Sequence, residues 1–201
     1  MPTEPLFVTK LYRAEMEDET LLADLDAACR SVAADDAAGR RWSKRNGYPG
    51  YTSYASLADL PWRVPAFADL RKRLDGHVAA FAAELDFDLK GKLKLDSIWI
   101  NVLDPGGVHT GHIHPRSAVS GTYYVSVPEG SGAIRFEDPR LPFMMAAPTR
   151  KRKARPENRL FATVEPRPGT LLLWESWLRH EVPANGADAE RISVSFNYAP
   201  P

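Results

Sequence analysis

The 201-residue sequence predicts a mainly β fold fronted by helices, and three observations carry the prediction. Apolar residues recur every three or four positions in the first half and alternate with polar ones from about Lys92 onward. Gly and Pro divide that alternating half into seven or eight short stretches, the pattern of a sandwich or barrel. A chain of this length suits one domain, because cores usually split only beyond roughly 250 residues. Residues 1–91 then read as a mostly helical support and residues 92–201 as the β core.

Taken in order, Leu6, Phe7, Val8 and Tyr12 suggest a short opening strand. Leu21, Leu25, Ala28, Cys29 and Val32 follow at helical spacing behind an acidic first turn, which complements the helix dipole. Arg40 to Leu57, rich in Gly, Pro, Ser and Tyr, reads as a long loop ordered by Trp42, Tyr48, Tyr51 and Tyr54. Pro65 is placed to start a helix that runs through Phe67, Leu70, Leu74, Val78, Phe81 and Leu85. Strands are expected at Lys92 to Leu103, Val119 to Val127, Ala133 to Glu137, Leu160 to Val164, Thr170 to Trp174, Leu178 to Val182 and Arg191 to Tyr198.

Composition removes several classes. At 44% hydrophobic and 26% charged the chain can bury a core, so a disordered tail is excluded. Lys plus Arg equals Asp plus Glu, 26 against 26, so no global field draws in nucleic acid or an anionic membrane. No apolar run reaches the length of a membrane span. The single Cys29 permits no intrachain disulfide, and the N-terminus lacks the pattern of a secretion signal, so a reducing, cytoplasmic setting is expected. The one biased segment, Thr149 to Arg159, carries six cations and reads either as a solvated loop or as a lid that attracts an anionic substrate.

Four of the five histidines fall in two places, His109, His112 and His114 in GGVHTGHIHP and His180 in SWLRHEVP. In an extended segment residues i and i+2 share a face, so His112 and His114 can meet at one metal ion, with His180 from a facing strand as third ligand. His109 is odd-spaced from His112, and Asp104 and Asp138 are rival donors. The last strand puts Arg191, Ser193, Ser195 and Asn197 on one face. If that face is interior, a buried guanidinium needs an anionic partner, and a bound carboxylate matches its planar fork.

The order HxH, distal His, then Arg eleven residues later with Ser at plus two resembles the iron(II)- and 2-oxoglutarate-dependent dioxygenases. LDPGGVHTGHIHP resembles the prolyl-hydroxylase-like branch, and WINVLDPGG, SGTYYVSVPEGSGAIRFEDP, PRPGTLLLWESWLRHEVPAN and ERISVSFNYA are similar to a small bacterial and phage group of these oxygenases. The resemblance spans Ser97 to Tyr198. It implies a double-stranded β-helix, or jelly roll, buttressed by helices, with His112, His114 and His180 on iron(II) at one mouth. It further implies that Arg191 and Ser193 hold the far carboxylate of 2-oxoglutarate, with Tyr124 beside it. Leu103 stands where prolyl hydroxylases often carry a second tyrosine, and Asn101 is the expected substitute.

The implied reaction consumes O2 and 2-oxoglutarate, releases succinate and CO2, and hydroxylates a peptidyl side chain such as proline or a small metabolite. His114 departs from the family, whose triad normally has a carboxylate there. Two further classes therefore stay open. A three-histidine cupin-type enzyme without 2-oxoglutarate would tolerate loss of Arg191, and a jelly-roll binding module would show no oxygen chemistry. Trp99, Trp174 and Trp177 are expected to keep the pocket dry, and the Tyr48 to Tyr54 loop to contribute specificity.

Overall fold

The computed structural model describes residues 3–201. Strand β1 (Tyr12–Glu15) leads into helices α1 (Glu19–Asp35) and α2 (Ala37–Arg45), strand β2 (Gly50–Thr52), and helices α3 (Leu60–Arg63) and α4 (Pro65–Glu84). Eight strands follow: β3 (Lys94–Leu103), β4 (His109–His112), β5 (Val119–Ser126), β6 (Ile134–Glu137), β7 (Phe161–Val164), β8 (Thr170–Glu175), β9 (His180–Val182) and β10 (Arg191–Ala199). They form two antiparallel sheets, β1-β8-β5-β10-β3-β2 and β4-β9-β6-β7. The chain crosses between the sheets as a jelly roll does, with β3, β5, β8 and β10 on one side and β4, β6, β7 and β9 on the other.

The alternation read from the sequence is what sorts the core into two layers. Ile192, Val194, Phe196 and Tyr198 of β10 pack with Leu25, Leu70, Leu74 and Phe81 of α1 and α4 on the helix side of the larger sheet. Between the sheets a second cluster holds Leu103, Tyr124, Ile134, Phe136, Leu172, Trp174, Leu178 and Val182. The helices thus cover one face of the larger sheet and leave the other to form the barrel interior.

Gly121 sits where Phe196 crosses β5. A Cβ there would lie 2.5 Å from Phe196 Cζ and 2.6 Å from Leu173 Cδ2, both fully buried. Gly121→Ala is therefore expected to cost about 1–3 kcal/mol and lower Tm by about 3–10 °C in a thermal melt. An unchanged Tm would show that this layer relaxes freely.

Two expectations for the N-terminal half need correction. Leu6, Phe7 and Val8 are exposed and unpaired, and Phe7 has φ 55°, outside the extended region; the strand forms only at Tyr12–Glu15, where it meets the free edge of β8. The Arg40–Leu57 segment is not one loop, because α2 runs to Arg45 and Gly50–Thr52 adds an edge strand to β3. Asp36 accounts for this order: its carboxylate accepts from Gly39 N at 2.9 Å as the α2 cap and from the Tyr51 hydroxyl at 2.9 Å. Polarity hid a helix whose capping carboxylate also accepts a hydrogen bond from a later strand.

Candidate metal and cosubstrate site

The two sheets enclose a cavity of about 750 Å³. At one end the imidazoles of His112, His114 and His180 each offer a nitrogen, all within 4.8 Å of one another. Among the described residues this is the one set of three His, Cys, Asp or Glu side chains that converges in this way. Strand pairing explains the convergence: His112 at the end of β4 lies opposite His180 at the start of β9, and His114 follows, its N–H donating to Ser176 O at 2.9 Å.

Backbone carbonyls orient two of the rings. His180 Nδ1 donates to Leu178 O at 2.9 Å and His112 Nδ1 to Thr110 O at 2.7 Å, which leaves each Nε2 with a lone pair. The Nε2 atoms of His114 and His180 stand 3.3 Å apart. Burial, then the neighbouring His112, pushes His114 down to about 4 and His180 down to about 3. Neutral imidazoles are the form that binds metal.

His109 is not part of this set. Its ring is turned to Tyr48, whose hydroxyl lies 2.7 Å from Nε2, and burial holds its pKa at about 3. Asp138 is paired with Arg140 at 2.8 Å, and Asp104 does not join the convergence.

These depressed values set an acid limit. An unfolded histidine takes up its proton near pH 6.5, whereas folded His109, His114 and His180 resist it until about 3 to 4. Stability of the metal-free protein is therefore full above about pH 7 and falls as pH drops from about 6.5 towards 4, by up to about 1.4 kcal/mol per unit for each histidine. Urea melts at pH 7.5, 5.5 and 4.5 check this; equal midpoints would show that the rings protonate in the fold.

Arg191 lies at the other end of the cavity, 2% exposed. Its Nη1 reaches only Gly132 O, at 3.4 Å, its Nε has no partner, and its guanidinium sits 5.6 Å over the Tyr124 ring. No carboxylate of the described residues pairs with it. A buried cation so poorly paired is costly, and an anion brought in by a ligand would relieve the cost. Ser193, Ser195 and Asn197 line the same cavity, as the alternation of the last strand predicts.

Asn101 also faces the cavity, but its amide is already engaged. Its Oδ1 accepts from Thr52 Oγ1 at 3.0 Å and from Tyr48 at 3.2 Å, and Nδ2 donates to Ser195 Oγ at 3.1 Å. One N–H remains for any further contact. Of the three tryptophans, Trp174 and Trp99 pack on the imidazoles: Trp174 is edge-on to His180 at 4.7 Å and Trp99 stacks on His114 at 5.8 Å. Trp177 does not serve as a wall, since it is 47% exposed on the turn before β9.

The basic run of residues 149–159 lies in the exposed β6–β7 connection, and none of it lines the cavity. The outer part is lined instead by Trp42 of α2, Tyr54, Ile113 and Pro115. Sequence reasoning expected the Tyr48 to Tyr54 loop at the site but singled out neither Thr52 nor the Tyr48 hydroxyl. Short polar residues on an edge strand carry no periodic signal, so only the placement of β2 beside β3 brings them in.

A jelly roll that combines three convergent imidazoles with a buried arginine lacking a carboxylate partner among the described residues fits a metal-dependent oxygenase that takes an oxo-acid cosubstrate. The chain belongs to the family described as "Putative 2OG-Fe(II) oxygenase", whose model matches residues 97–197, half its length. It is thus an oxidoreductase of the iron(II)- and 2-oxoglutarate-dependent kind. The fold is similar to a prolyl-4-hydroxylase from Pseudomonas putida, at 19% identity and TM-score 0.66 over 96% of this chain and 94% of that one. It is also similar to the non-heme α-ketoglutarate-dependent epimerase SnoN of nogalamycin biosynthesis, at 15% identity and TM-score 0.67 over 96% and 78%. HygX from Streptomyces hygroscopicus, solved with nickel and 2-oxoglutarate bound, aligns at 14% identity and TM-score 0.60 over 96% and 82%. No curated protein matches the sequence. Among the described residues no helix is long and apolar enough to cross a membrane.

Proposed function

We propose that the protein hydroxylates an uncharged group on a peptidyl or small-molecule substrate, with His112, His114 and His180 holding iron(II) and Arg191 holding 2-oxoglutarate. The observation that carries this reading is the pairing of three convergent imidazoles with an orphaned buried guanidinium in one cavity. Iron(II) and 2-oxoglutarate, when bound, supply the oxidant that places one oxygen atom of O2 in the substrate and the other in succinate, with CO2 released.

The residues of the chain bind, orient and shield. Three imidazoles add no charge, so the metal keeps both positive charges and the cosubstrate dianion neutralises them. Ser193 and Tyr124 flank Arg191, and burial pushes the Tyr124 phenol up to about 12, so it stays a donor. Leu178 O and Thr110 O fix two imidazole tautomers. Trp99, Trp174 and Phe136 exclude water around His114 and His180. Apart from the histidines, Arg191 is the one ionisable group of Asp, Glu, Lys or Arg type lining the cavity, which supports an uncharged reacting group rather than an acid or amine.

Anaerobic addition of iron(II) and then 2-oxoglutarate to metal-free protein tests the reading without a known substrate. A visible charge-transfer band is expected. Bound iron with no band at saturating 2-oxoglutarate would favour the three-histidine class that needs no oxo acid.

A further inference from the structure

The cations of residues 149–159 have no part in the cavity, yet the fold gives them a definite place. Residues 138–160 join β6 to β7, a connection well beyond the ~12–15 residues at which surface loops become uncommon. Its base is fixed at the metal end of the barrel. Phe136 stands opposite His180, Glu137 N donates to Arg179 O at 2.9 Å, and Asp138 N donates to Leu160 O at 2.8 Å, which closes the connection on itself. The outer part of the cavity opens at the same end, since Tyr54 packs on Trp99 and Trp99 on His114. Within the connection Ala154 N donates to Lys151 O at 2.9 Å and Arg159 Nε to Ala154 O at 3.0 Å. Arg140, and after it Arg150, holds the Asp138 carboxyl below its usual range, so the basic run returns towards the base.

The charges around this run are paired, and those within it are not. Arg135 pairs with Glu181, Arg179 with Glu137 at 3.2 Å, Arg140 with Asp138 at 2.8 Å and Arg155 with Glu157 at 3.3 Å. Arg150, Lys151, Arg152 and Lys153 are all exposed, and none has a carboxylate partner among the described residues. Like charges so crowded repel one another, and an anionic partner removes that repulsion. The unpaired charge is a narrow strip bounded by neutral pairs. A nucleic-acid duplex or an anionic bilayer spreads its charge over a broad face and is drawn by a broad field, which this chain of zero net charge lacks. A run of carboxylates on an extended polypeptide, about 3.3 Å per residue, matches a strip of consecutive cations. Phe143, 86% exposed, and Met145, 96% exposed, stand on the same connection and offer apolar contact to such a chain.

We propose that the β6–β7 connection is a docking strip on which Arg150, Lys151, Arg152 and Lys153 hold an acidic stretch of a polypeptide substrate, while an uncharged residue of the same polypeptide enters the cavity. The proposal rests on the peptidyl form of the reading above and selects it over a small metabolite, which needs no contact outside the cavity. The two surfaces divide the recognition. Apart from Arg191 and the histidines the cavity lining is uncharged and takes the reacting residue, whereas the strip lines no part of the cavity and takes the acidic flank. Exposed ion pairs are individually weak and act on association, so the strip sets substrate affinity and leaves metal and cosubstrate binding alone.

The test titrates the full chain against two fluorescein-labelled peptides of about twelve residues, one with about six Glu and the other with Gln at the same positions, followed by fluorescence anisotropy. Lys151→Gln, Arg152→Gln and Lys153→Gln combined remove three charges from the strip. Lys90→Gln, Lys92→Gln and Lys94→Gln combined remove three exposed charges around the start of β3 and serve as the charge-matched control. We expect the Glu peptide to bind about tenfold more tightly than the Gln peptide, the strip variant to lose that preference, the control to keep it within about twofold, and about 0.5 M NaCl to abolish it. Both variants should give the iron(II) and 2-oxoglutarate charge-transfer band of the wild type. Equal binding of the two peptides, or equal losses in the two variants, would overturn the proposal. So would tighter binding of a single-stranded RNA of equal charge or of phosphatidylserine vesicles, which would assign the strip to phosphate. A missing band in the wild-type protein beside a retained Glu preference would overturn the cosubstrate reading and support the strip as an acidic-peptide site.

Discussion

Arg191→Met is expected to weaken 2-oxoglutarate binding by about 100-fold or more while the ligand-free protein melts at an unchanged or higher temperature. The two effects have opposite signs for one reason. In the ligand-free fold the guanidinium carries a desolvation cost of several kcal/mol and is returned only one long hydrogen bond to Gly132 O and a contact with the Tyr124 ring. Methionine fills similar volume without that cost. With the dianion present, removing the cation strands a buried carboxylate, a loss of about 2–5 kcal/mol. Thermal melts with and without 2-oxoglutarate and manganese(II) separate the two terms. A large drop in the ligand-free Tm would mean that Arg191 is structural and that the anion site lies elsewhere.

His112→Ala is expected to reduce iron(II) affinity by at least about 100-fold at a cost in stability of about 1 kcal/mol or less, because the ring is only partly buried. His112 is the least buried member of the triad, and its melt alongside the dialysis separates loss of metal from loss of fold. His180→Ala should lose iron to the same extent but should also destabilise the fold. It opens a gap among His112, Phe136 and Trp174, and a cavity of that kind costs about 2–4 kcal/mol. Equilibrium dialysis with iron(II), paired with thermal melts, reads both quantities. Iron retained by His112→Ala would point to a site built from other donors.

Much of the barrel was legible because it obeys period 2. The alternation in Arg191 to Tyr198 assigns Ile192, Val194, Phe196 and Tyr198 to one side and Arg191, Ser193, Ser195 and Asn197 to the other, and the structure has the first set against the helices and the second in the cavity. The HxH spacing was legible for the same reason. The helical half was less so. The helices of Leu21 to Val32 and of Pro65 to Leu85 carry apolar stripes, but α2 is short and polar, and its capping Asp36 is also held by Tyr51, a residue whose position only the folded sheet provides.

By itself, then, the sequence determined the fold class, the two-faced strands and the order of the histidines and Arg191, because these depend on local periodicity and on residue chemistry. Tertiary structure decided which histidines converge, separating His109 from His112, His114 and His180 through strand register. It also decided that Arg191 has no carboxylate partner among the described residues and an unpartnered Nε, that Trp177 is half-exposed, and that Tyr48 reaches a cavity built by strands some fifty residues later. Those outcomes depend on contacts between segments distant in the chain, and the pattern within any one segment does not encode them.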